Sequence, residues 1–382
     1  MIREKQFLIK LTILVLSLCL YACASKAPQK HTIFQRHYGN DAIKSELNQL
    51  LEDNYSQTQA ISVYYMTNRK QGNLNNNCGP NTFGNDADNT VHYGQCRISV
   101  PTNHLVGDIT FSQNPRASSH QNYKFLQQNS MQESELSSML SSFQNDILVF
   151  IHGFNVPFEQ AVLRAAQIKY DLKFKGEIVL VSWPAGANGS SYMIHKTYAE
   201  NKNNTLKSYA LIHTMVDVLV QSKHKAHILV HSMGHQVFLP GLVSYLQKNP
   251  DIAQQTPIFA EGVFHAPDIA TQKAVLYFKN IQKFFDRTTV YCSHKDYAIT
   301  ASQLYNEDQR LGHCFNLENT DVINVSLLHE QLQNLDYLGH SYYASRALLG
   351  DLFQVLLNLD ANKRLFIRKA EPYAPENYFL RP

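Results

Sequence analysis

The hydrophobic positions in the middle of the chain form short apolar runs separated by amphipathic stretches. Six runs have the length of strands: residues 147–151, 178–182, 228–230, 258–264, 288–292 and 322–325. Helical spacing of apolar residues is found in between, at residues 158–174, 205–220 and from Ser232 towards Leu246. Continuous apolar strands alternating with helices are typical of a mostly parallel sheet covered by helices on both faces. This pattern predicts an α/β fold.

The segment before this core predicts further elements. Residues 61–66 and 95–100 read as strands, and Pro101 ends the second one. The Asn- and Gly-rich residues 71–90 between them predict a loop. A helix is predicted over residues 133–143.

The segment after the core predicts one last helix, over residues 345–357. Prolines in residues 359–382 are turn signals and predict an irregular C-terminal tail. The folded domain is therefore expected to span residues 60–358. Within it, Pro240-Gly241 is expected to kink or shorten the helix that follows Ser232.

The first 23 residues follow a different pattern. Arg3, Lys5 and Lys10 accompany an apolar run over residues 11–20, which is too short for a comfortable membrane span and fits a secretory signal. The run ends in Leu20-Tyr-Ala-Cys23, which resembles the bacterial lipobox. We expect residues 1–22 to be a lipoprotein signal peptide and Cys23 to carry the lipid.

This prediction places the protein in the cell envelope, anchored by its lipid and facing the periplasm or lying on the outer membrane. Residues 23–59 would then form a tether that contains a short helix over residues 42–51. The net charge of the 382-residue chain is only +3, with no run of Lys or Arg. Nucleic-acid binding is therefore not expected.

Four cysteines follow Cys23, and an even number in an exported protein suggests disulfides. Three connectivities are possible. The pairing that joins sequence neighbours links Cys78 to Cys96 and Cys292 to Cys314.

The chemistry centres on Ser232, which directly follows the predicted strand at 228–230. A sharp turn from strand to helix exposes a serine hydroxyl at the sheet edge and needs small residues where the backbones crowd. Gly234 is one such residue, whereas Val230 stands where the usual pattern has the other. The match to the G-x-S-x-G pattern is therefore partial, and Ser232 is a candidate nucleophile.

Oxyanion stabilisation is expected from two main-chain N–H groups. The strand at 147–151 runs into His152-Gly-Phe-Asn155, a His-Gly turn of the kind that lies beside a nucleophile in this class of sheet. Phe154 is one candidate donor. Met233, directly after the serine, is the other.

The order of the remaining candidates fits a Ser–Asp–His sequence. Asp296 follows the strand at 288–292, and His340 comes after the last strand. Asp268, after the strand at 258–264, is an alternative acid. His329 and His313 are weaker candidates for the base than His340.

Other residues near the predicted site are assigned no chemistry. His231 and His235 straddle the turn at Ser232, so a metal role is not expected, and no cofactor is implied. Trp183 is either a packing residue or a substrate contact. The segment Thr67-Asn-Arg69 is either a structural turn, which is favoured, or a support for the site.

Six ordered segments add a resemblance to a known family. They are Tyr64-Tyr-Met-Thr-Asn-Arg69, Ile151-His-Gly-Phe-Asn155, Ser182-Trp-Pro184, His231-Ser-Met-Gly234, Ala266-Pro-Asp268 and His340-Ser-Tyr342. Together they resemble a bacterial domain-of-unknown-function family of α/β-hydrolases, often described as esterase/lipase-superfamily proteins. The resemblance covers residues 60 to 355 approximately and implies the α/β-hydrolase fold.

Two hypotheses of function follow. The first is a serine hydrolase that cleaves an ester or related acyl bond of a small molecule or lipid at the cell envelope. The second is a catalytically silent lipoprotein with a hydrolase fold that binds a partner or ligand, because Val230 and Pro240-Gly241 depart from the usual pattern.

Overall fold

The computed structural model describes residues 59–72, 78–187, 194–254, 257–329 and 338–381. The predicted signal peptide, Cys23 and the predicted helix over residues 42–51 lie outside these ranges.

The strands of the described residues form one mixed sheet. They are β1 Gln59–Gln71, β2 Phe83–Val100, β3 Lys124–Met131, β4 Ile147–Ile151, β5 Glu177–Ser182, β6 Ala226–His231, β7 Phe259–His265, β8 Phe285–Cys292, β9 Asp321–Asn324, β10 Ile367–Lys369 and β11 Tyr378–Leu380. Their spatial order is β10-β11-β9-β8-β7-β6-β4-β5-β1-β2-β3. All pairs from β11 to β1 are parallel, and the pairs β1–β2, β2–β3 and β10–β11 are antiparallel.

Helices cover both faces of this sheet. In the described ranges they are α1 Glu133–Ser142, α2 Phe158–Asp171, α3 Ile194–Lys207, α4 Tyr209–Ser222, α5 His235–Lys248, α6 Thr271–Ile281, α7 Tyr297–Asn306 and α8 Arg346–Leu356. None of them has the length and apolarity that crossing a bilayer requires. The predicted α/β architecture, with a mostly parallel sheet and helices on both faces, is confirmed.

The core divides into two layers because successive side chains of a strand point to opposite faces. In β4, Ile147, Val149 and Ile151 pack with α1, α4, α5 and α6, whereas Leu148 and Phe150 pack with α2 and α8. All five are buried. This two-sided burial explains why the central strands are continuous apolar runs rather than alternating ones.

The predicted loop over residues 71–90 is wrong for its second half. Strand β2 already begins at Phe83 and pairs with the end of β1, with Ala87 opposite Arg69 and Phe83 opposite Gln71. Phe83 is buried against Tyr65 and Phe158. Cross-strand pairing and this aromatic contact outweigh the low strand propensity of the Asn- and Asp-rich segment.

The predicted irregular tail is also partly wrong, because it contributes β10 and β11 to the sheet. Tyr378 of β11 lies beside Ile323 of β9, and β10 closes a hairpin on β11. Ile367 and Leu380 are buried in the core layer of α8. The tail thus covers an edge of β9 that would otherwise present unpaired backbone groups.

The long helix predicted over residues 205–220 is two helices, α3 and α4, which meet at Ser208. Its buried hydroxyl donates to the carbonyl oxygen of Asn204, 2.8 Å away, and so satisfies a main-chain acceptor beside the break. Helix α5 in turn continues past Pro240 to Lys248, so it is not shortened.

The structure contains the two disulfides that join sequence neighbours, Cys78–Cys96 and Cys292–Cys314. The second bridge connects the end of β8 to the segment after α7. It therefore closes a loop that contains Asp296.

Replacing both Cys292 and Cys314 with serine is expected to lower the free energy of unfolding by about 3 kcal/mol. The bridge spans 22 residues, and opening it restores chain entropy to the unfolded state. Thermal unfolding followed by circular dichroism measures the loss as a lower Tm. An unchanged Tm, together with free thiols at both positions in non-reduced peptides of the unmodified protein, would contradict this expectation.

Candidate active site

Ser232 lies at the sharp turn between β6 and α5. Its φ is +53°, in the left-handed region that non-glycine residues rarely adopt. A 3₁₀ turn, Ser232–Gly234, leads directly into the helix. Backbone strain at a buried serine on such a turn is the local geometry that exposes a nucleophilic hydroxyl at a strand end.

Two glycines permit the close packing of this turn against the end of β4. A Cβ atom on Gly234 would lie 2.6 Å from the carbonyl oxygen of His152, and one on Gly153 would lie 2.8 Å from Cβ of Ser232. Both distances are too short for real contacts. Val230, two residues before Ser232, still lies within the sheet, where it pairs with Ile151 of β4 and Phe264 of β7. Its bulk therefore does not prevent the turn from forming.

His340 lies between Ser232 and Asp296. Its Nε2 is 2.7 Å from Oγ of Ser232, and its Nδ1 is 2.8 Å from Oδ2 of Asp296. An ionised carboxylate only accepts, so Nδ1 carries the proton and Nε2 accepts from the serine hydroxyl. The structure thus joins the three residues that the sequence analysis selected into one hydrogen-bonded line.

Asp296 is fully buried at the N-terminus of α7. Its Oδ1 accepts from the main-chain N–H of Ile299 at 3.0 Å, as an N-cap residue does, which leaves Oδ2 for His340. The helix N-terminus favours a negative charge at this position. The carboxylate is therefore both fixed in orientation and supported electrostatically.

The segment that carries His340 is held from both sides. Gly339 has a φ of +62°, and the hydroxyl of Tyr342 donates to the carbonyl oxygen of Tyr291 at 3.0 Å. The ring of His231 packs 4.8 Å from that of His340, and its Nε2 is 3.4 Å from the His340 carbonyl oxygen. Burial holds the pKa of His231 well below its ordinary value, so this ring supports His340 as a neutral group.

Asp268, the alternative acid, has other partners. Its carboxylate accepts from the hydroxyls of Tyr198, at 2.9 Å, and Ser302, and forms an ion pair with Arg310 at 3.4 Å. Its main-chain N–H donates to the carbonyl oxygen of Ser232 at 3.3 Å. Asp268 therefore anchors the backbone at Ser232, and the acid beside His340 is Asp296.

The other histidines near the site contact different groups. His329 packs beneath Gly339 and beside the ring of Tyr297. His313 approaches the hydroxyl of Thr300 at 3.1 Å, and Nδ1 of His235 lies 2.7 Å from the carbonyl oxygen of Ser232.

The two expected oxyanion donors lie on the two segments that meet at Ser232. Phe154 directly follows Gly153, which packs against the serine, and Met233 is in the first turn after it. N–H groups in the first turn of a helix have no intrahelical partner and can bind an anion. Both positions are consistent with an oxyanion site.

The sequence did not reveal the central position of Arg69, and it left two roles open for Trp183, packing or substrate contact. Arg69 lies within β1 rather than in a turn, and it is completely buried beside His152. Trp183 is a packing residue, since its buried ring stacks on His152 and its Nε1–H donates to the His152 carbonyl oxygen at 2.8 Å. The contact between Arg69 and Ser182 at the end of β5 was not evident, because no periodicity reveals which strands become neighbours.

A mostly parallel sheet with helices on both faces, and a serine on a strained turn after a central strand, define the class of α/β-hydrolases. Within this class, the chain belongs to a family described as alpha/beta hydrolase of unknown function (DUF900), whose profile matches residues 128–358, more than half of the chain. Comparison with curated proteins gives no match.

Proposed function

We propose that this protein is a serine hydrolase that cleaves an ester or related acyl bond. The observation that carries the proposal is the line of hydrogen bonds from Ser232 through His340 to Asp296, with distances of 2.7 and 2.8 Å. A serine alcohol is a poor nucleophile until a base removes its proton, and this arrangement supplies one.

In the proposed mechanism, Oγ of Ser232 attacks the carbonyl carbon of the substrate while Nε2 of His340 takes up its proton. Asp296 keeps the imidazole in the required tautomer and stabilises its charged form. His340 then returns the proton to the leaving alcohol or amine, which leaves an acyl group on Ser232. Water, activated by the same histidine, releases the acyl group and restores the enzyme.

The negative charge that develops on the carbonyl oxygen requires hydrogen-bond donors. We assign this role to the main-chain N–H groups of Phe154 and Met233, on either side of the serine. Donors that are already oriented need no rearrangement during the reaction, and one of them contributes roughly 10²- to 10³-fold to kcat in comparable sites.

Hydrolysis of p-nitrophenyl acetate and p-nitrophenyl butyrate tests this proposal. The unmodified protein is expected to release p-nitrophenol with a burst if deacylation is slow, and Ser232→Ala is expected to show no burst and only a small residual rate above buffer. Ser244→Ala is a matched control, because this serine lies on α5 and contacts His213 at 2.9 Å. Equal rates for Ser232→Ala and the unmodified protein would refute the proposal.

We further propose that the enzyme is attached to the bacterial cell envelope by a lipid on Cys23, so that its substrate is a small-molecule or lipid ester present there. The basis is the basic and apolar N-terminus that ends in Leu20-Tyr-Ala-Cys23.

Cys23→Ser is expected to block processing or to release the protein from membranes, because serine offers no thiol for the lipid. Membrane fractionation and the mass of the mature N-terminus measure this. Cys19→Ser is the matched control, since Cys19 follows Leu18 and suits cleavage poorly. Normal processing and membrane retention of Cys23→Ser would contradict the lipid anchor.

A further inference from the structure

We infer that Arg69 and His152 are positioning residues that orient the peptide between Gly153 and Phe154, so that the N–H of Phe154 is presented at Ser232. This inference rests on the proposed hydrolase function, in which Phe154 is an oxyanion donor.

The first step is the contact set of Arg69, which joins four segments at the carboxyl edge of the sheet. The side chain is completely buried. It donates to Oγ of Ser182 (2.9 Å), to the carbonyl oxygens of Gly84 (3.1 Å), Ala185 (2.7 Å) and Val156 (2.7 Å), and to Oδ1 of Asn85 (3.1 Å), and its Nη2 lies 3.3 Å from Nε2 of His152. The guanidinium therefore fixes the turn after β4 relative to β1, β2 and β5.

The second step is the tautomer of His152. A guanidinium can only donate, so Nε2 of His152 accepts from Arg69. Ser182 lies 3.1 Å from the same nitrogen, and because its oxygen already accepts from Arg69, its hydroxyl proton is available to His152. Burial, and then the charge of Arg69, lower the pKa of His152 to about 3. The ring is therefore neutral, with its proton on Nδ1.

The third step is the peptide that follows. Nδ1 of His152 lies 3.0 Å from the carbonyl oxygen of Gly153, to which it donates. In a planar trans peptide the C=O of Gly153 and the N–H of Phe154 point in opposite directions. Turning this carbonyl towards the imidazole therefore turns the N–H of Phe154 away from it. Gly153 packs directly against Ser232, so the peptide between Gly153 and Phe154, held in this orientation, borders the nucleophile.

The rest of the turn is fixed in the same way. The N–H of Asn155 donates to Oδ1 of Asn201 at 3.0 Å, and the carbonyl of Val156 accepts from Arg69. Trp183 holds the carbonyl of His152. The peptide between Gly153 and Phe154 is thus bounded by fixed groups on both sides, and the bond from His152 selects its orientation.

Burial lowers the pKa of Arg69 to about 9, which still leaves it charged at neutral pH. Its five N–H donors are needed in the planar arrangement of a guanidinium, which a lysine ammonium does not provide. Arg69→Lys therefore keeps the charge but loses most of the contacts to the turn.

The hydrogen bonds from Arg69 to His152 and from His152 to the Gly153 carbonyl form a relay. NMR with ¹⁵N-labelled histidine tests this relay without requiring any hydrolysis. In the unmodified protein at pH 7, the resonances of His152, assigned by their loss in His152→Asn, are expected to show a neutral ring protonated on Nδ1. A ring protonated on Nε2, or a charged ring, would overturn the inference whether or not the protein is an enzyme.

Kinetics with p-nitrophenyl acetate test the consequence for catalysis. His152→Leu removes the donor to Gly153 and is expected to lower kcat by roughly 100-fold, with KM nearly unchanged, since an oxyanion donor acts in the transition state. His152→Asn has an amide nitrogen on Cγ, as Nδ1 is, and is expected to recover at least tenfold of this loss.

Arg69→Lys is expected to lower kcat by a factor between those of the two His152 variants. Arg287→Met is the control for losing a carbonyl-binding arginine, because Arg287 binds the carbonyl oxygens of Asn358 and Leu359 near the start of β8, at the opposite end of the sheet. If both His152 variants and Arg69→Lys keep the kcat of an active unmodified enzyme, the relay is wrong although the proposed hydrolase function stands. If the unmodified protein is inactive, the proposed function fails, and the NMR result alone decides whether the relay exists.

Discussion

Ser232→Ala and His340→Ala are each expected to lower kcat for p-nitrophenyl acetate by roughly five to six orders of magnitude, and the double variant is expected to lose no more than either single one. The two side chains perform one step together, because the serine attacks only as the histidine removes its proton. Removing either partner therefore abolishes the same pathway, and the residual rate comes from substrate binding and the oxyanion donors alone.

The comparison of single and double variants is informative because independent contributions add as activation free energies, so their fold-losses of kcat multiply. Fold-losses that multiply in the double variant would therefore contradict the view that Ser232 and His340 act as one unit. His329→Ala is a matched control for His340→Ala, since His329 packs beneath the same segment without touching Ser232 in the described structure. It is expected to keep kcat within about tenfold of the unmodified enzyme, as a change in packing alone would.

Asp296→Asn is expected to lower kcat by about 10⁴-fold, less than the loss of either Ser232 or His340. The amide preserves the shape of the carboxylate but can donate to Nδ1 of His340, which favours the tautomer that cannot accept the serine proton. It also removes the negative charge that stabilises the imidazolium. Rates of p-nitrophenyl acetate hydrolysis across pH 6 to 9 measure this effect.

Asp268→Asn distinguishes the two acids that the sequence left open. Asp268 bonds to Tyr198, Ser302 and Arg310 rather than to His340, so its replacement is expected to lower Tm and to reduce kcat by roughly tenfold or less. A larger loss of kcat for Asp268→Asn than for Asp296→Asn would show that the catalytic acid is Asp268 and that the assignment to Asp296 is wrong.

The site could be predicted from the sequence largely because its members follow buried strands. Ser232 and Asp296 come just after β6 and β8, whose apolar runs are unmistakable. Parallel strands bring their carboxyl ends to one edge of the sheet, so the order of the residues along the chain was enough to place them together.

The sequence favoured Asp296 over Asp268 as the acid, but it could not exclude Asp268. The choice depends on the path of the segment before α7, where the N-cap position fixes one oxygen of Asp296 and directs the other towards His340. Such a path is set by tertiary contacts, including the Cys292–Cys314 bridge, that no local pattern encodes.

The polar part of β2 and the two tail strands were missed for a related reason. Segments of three residues, such as Ile367–Lys369, are too short for a periodicity to show, and they are stabilised by the strand beside them. The role of Arg69 was not recognised because most of its contacts, such as those with Ser182 and Val156, come from segments that are distant in sequence.

Reaction of the unmodified protein with a fluorophosphonate probe, followed by mass spectrometry of its peptides, tests the central claim most directly. The probe phosphonylates a serine only when a neighbouring base activates it. The account predicts one adduct, on Ser232, that is absent from Ser232→Ala and forms far more slowly in His340→Ala. A folded protein with no adduct, or with its adduct on a different serine, would contradict the account and favour a catalytically silent α/β-hydrolase fold.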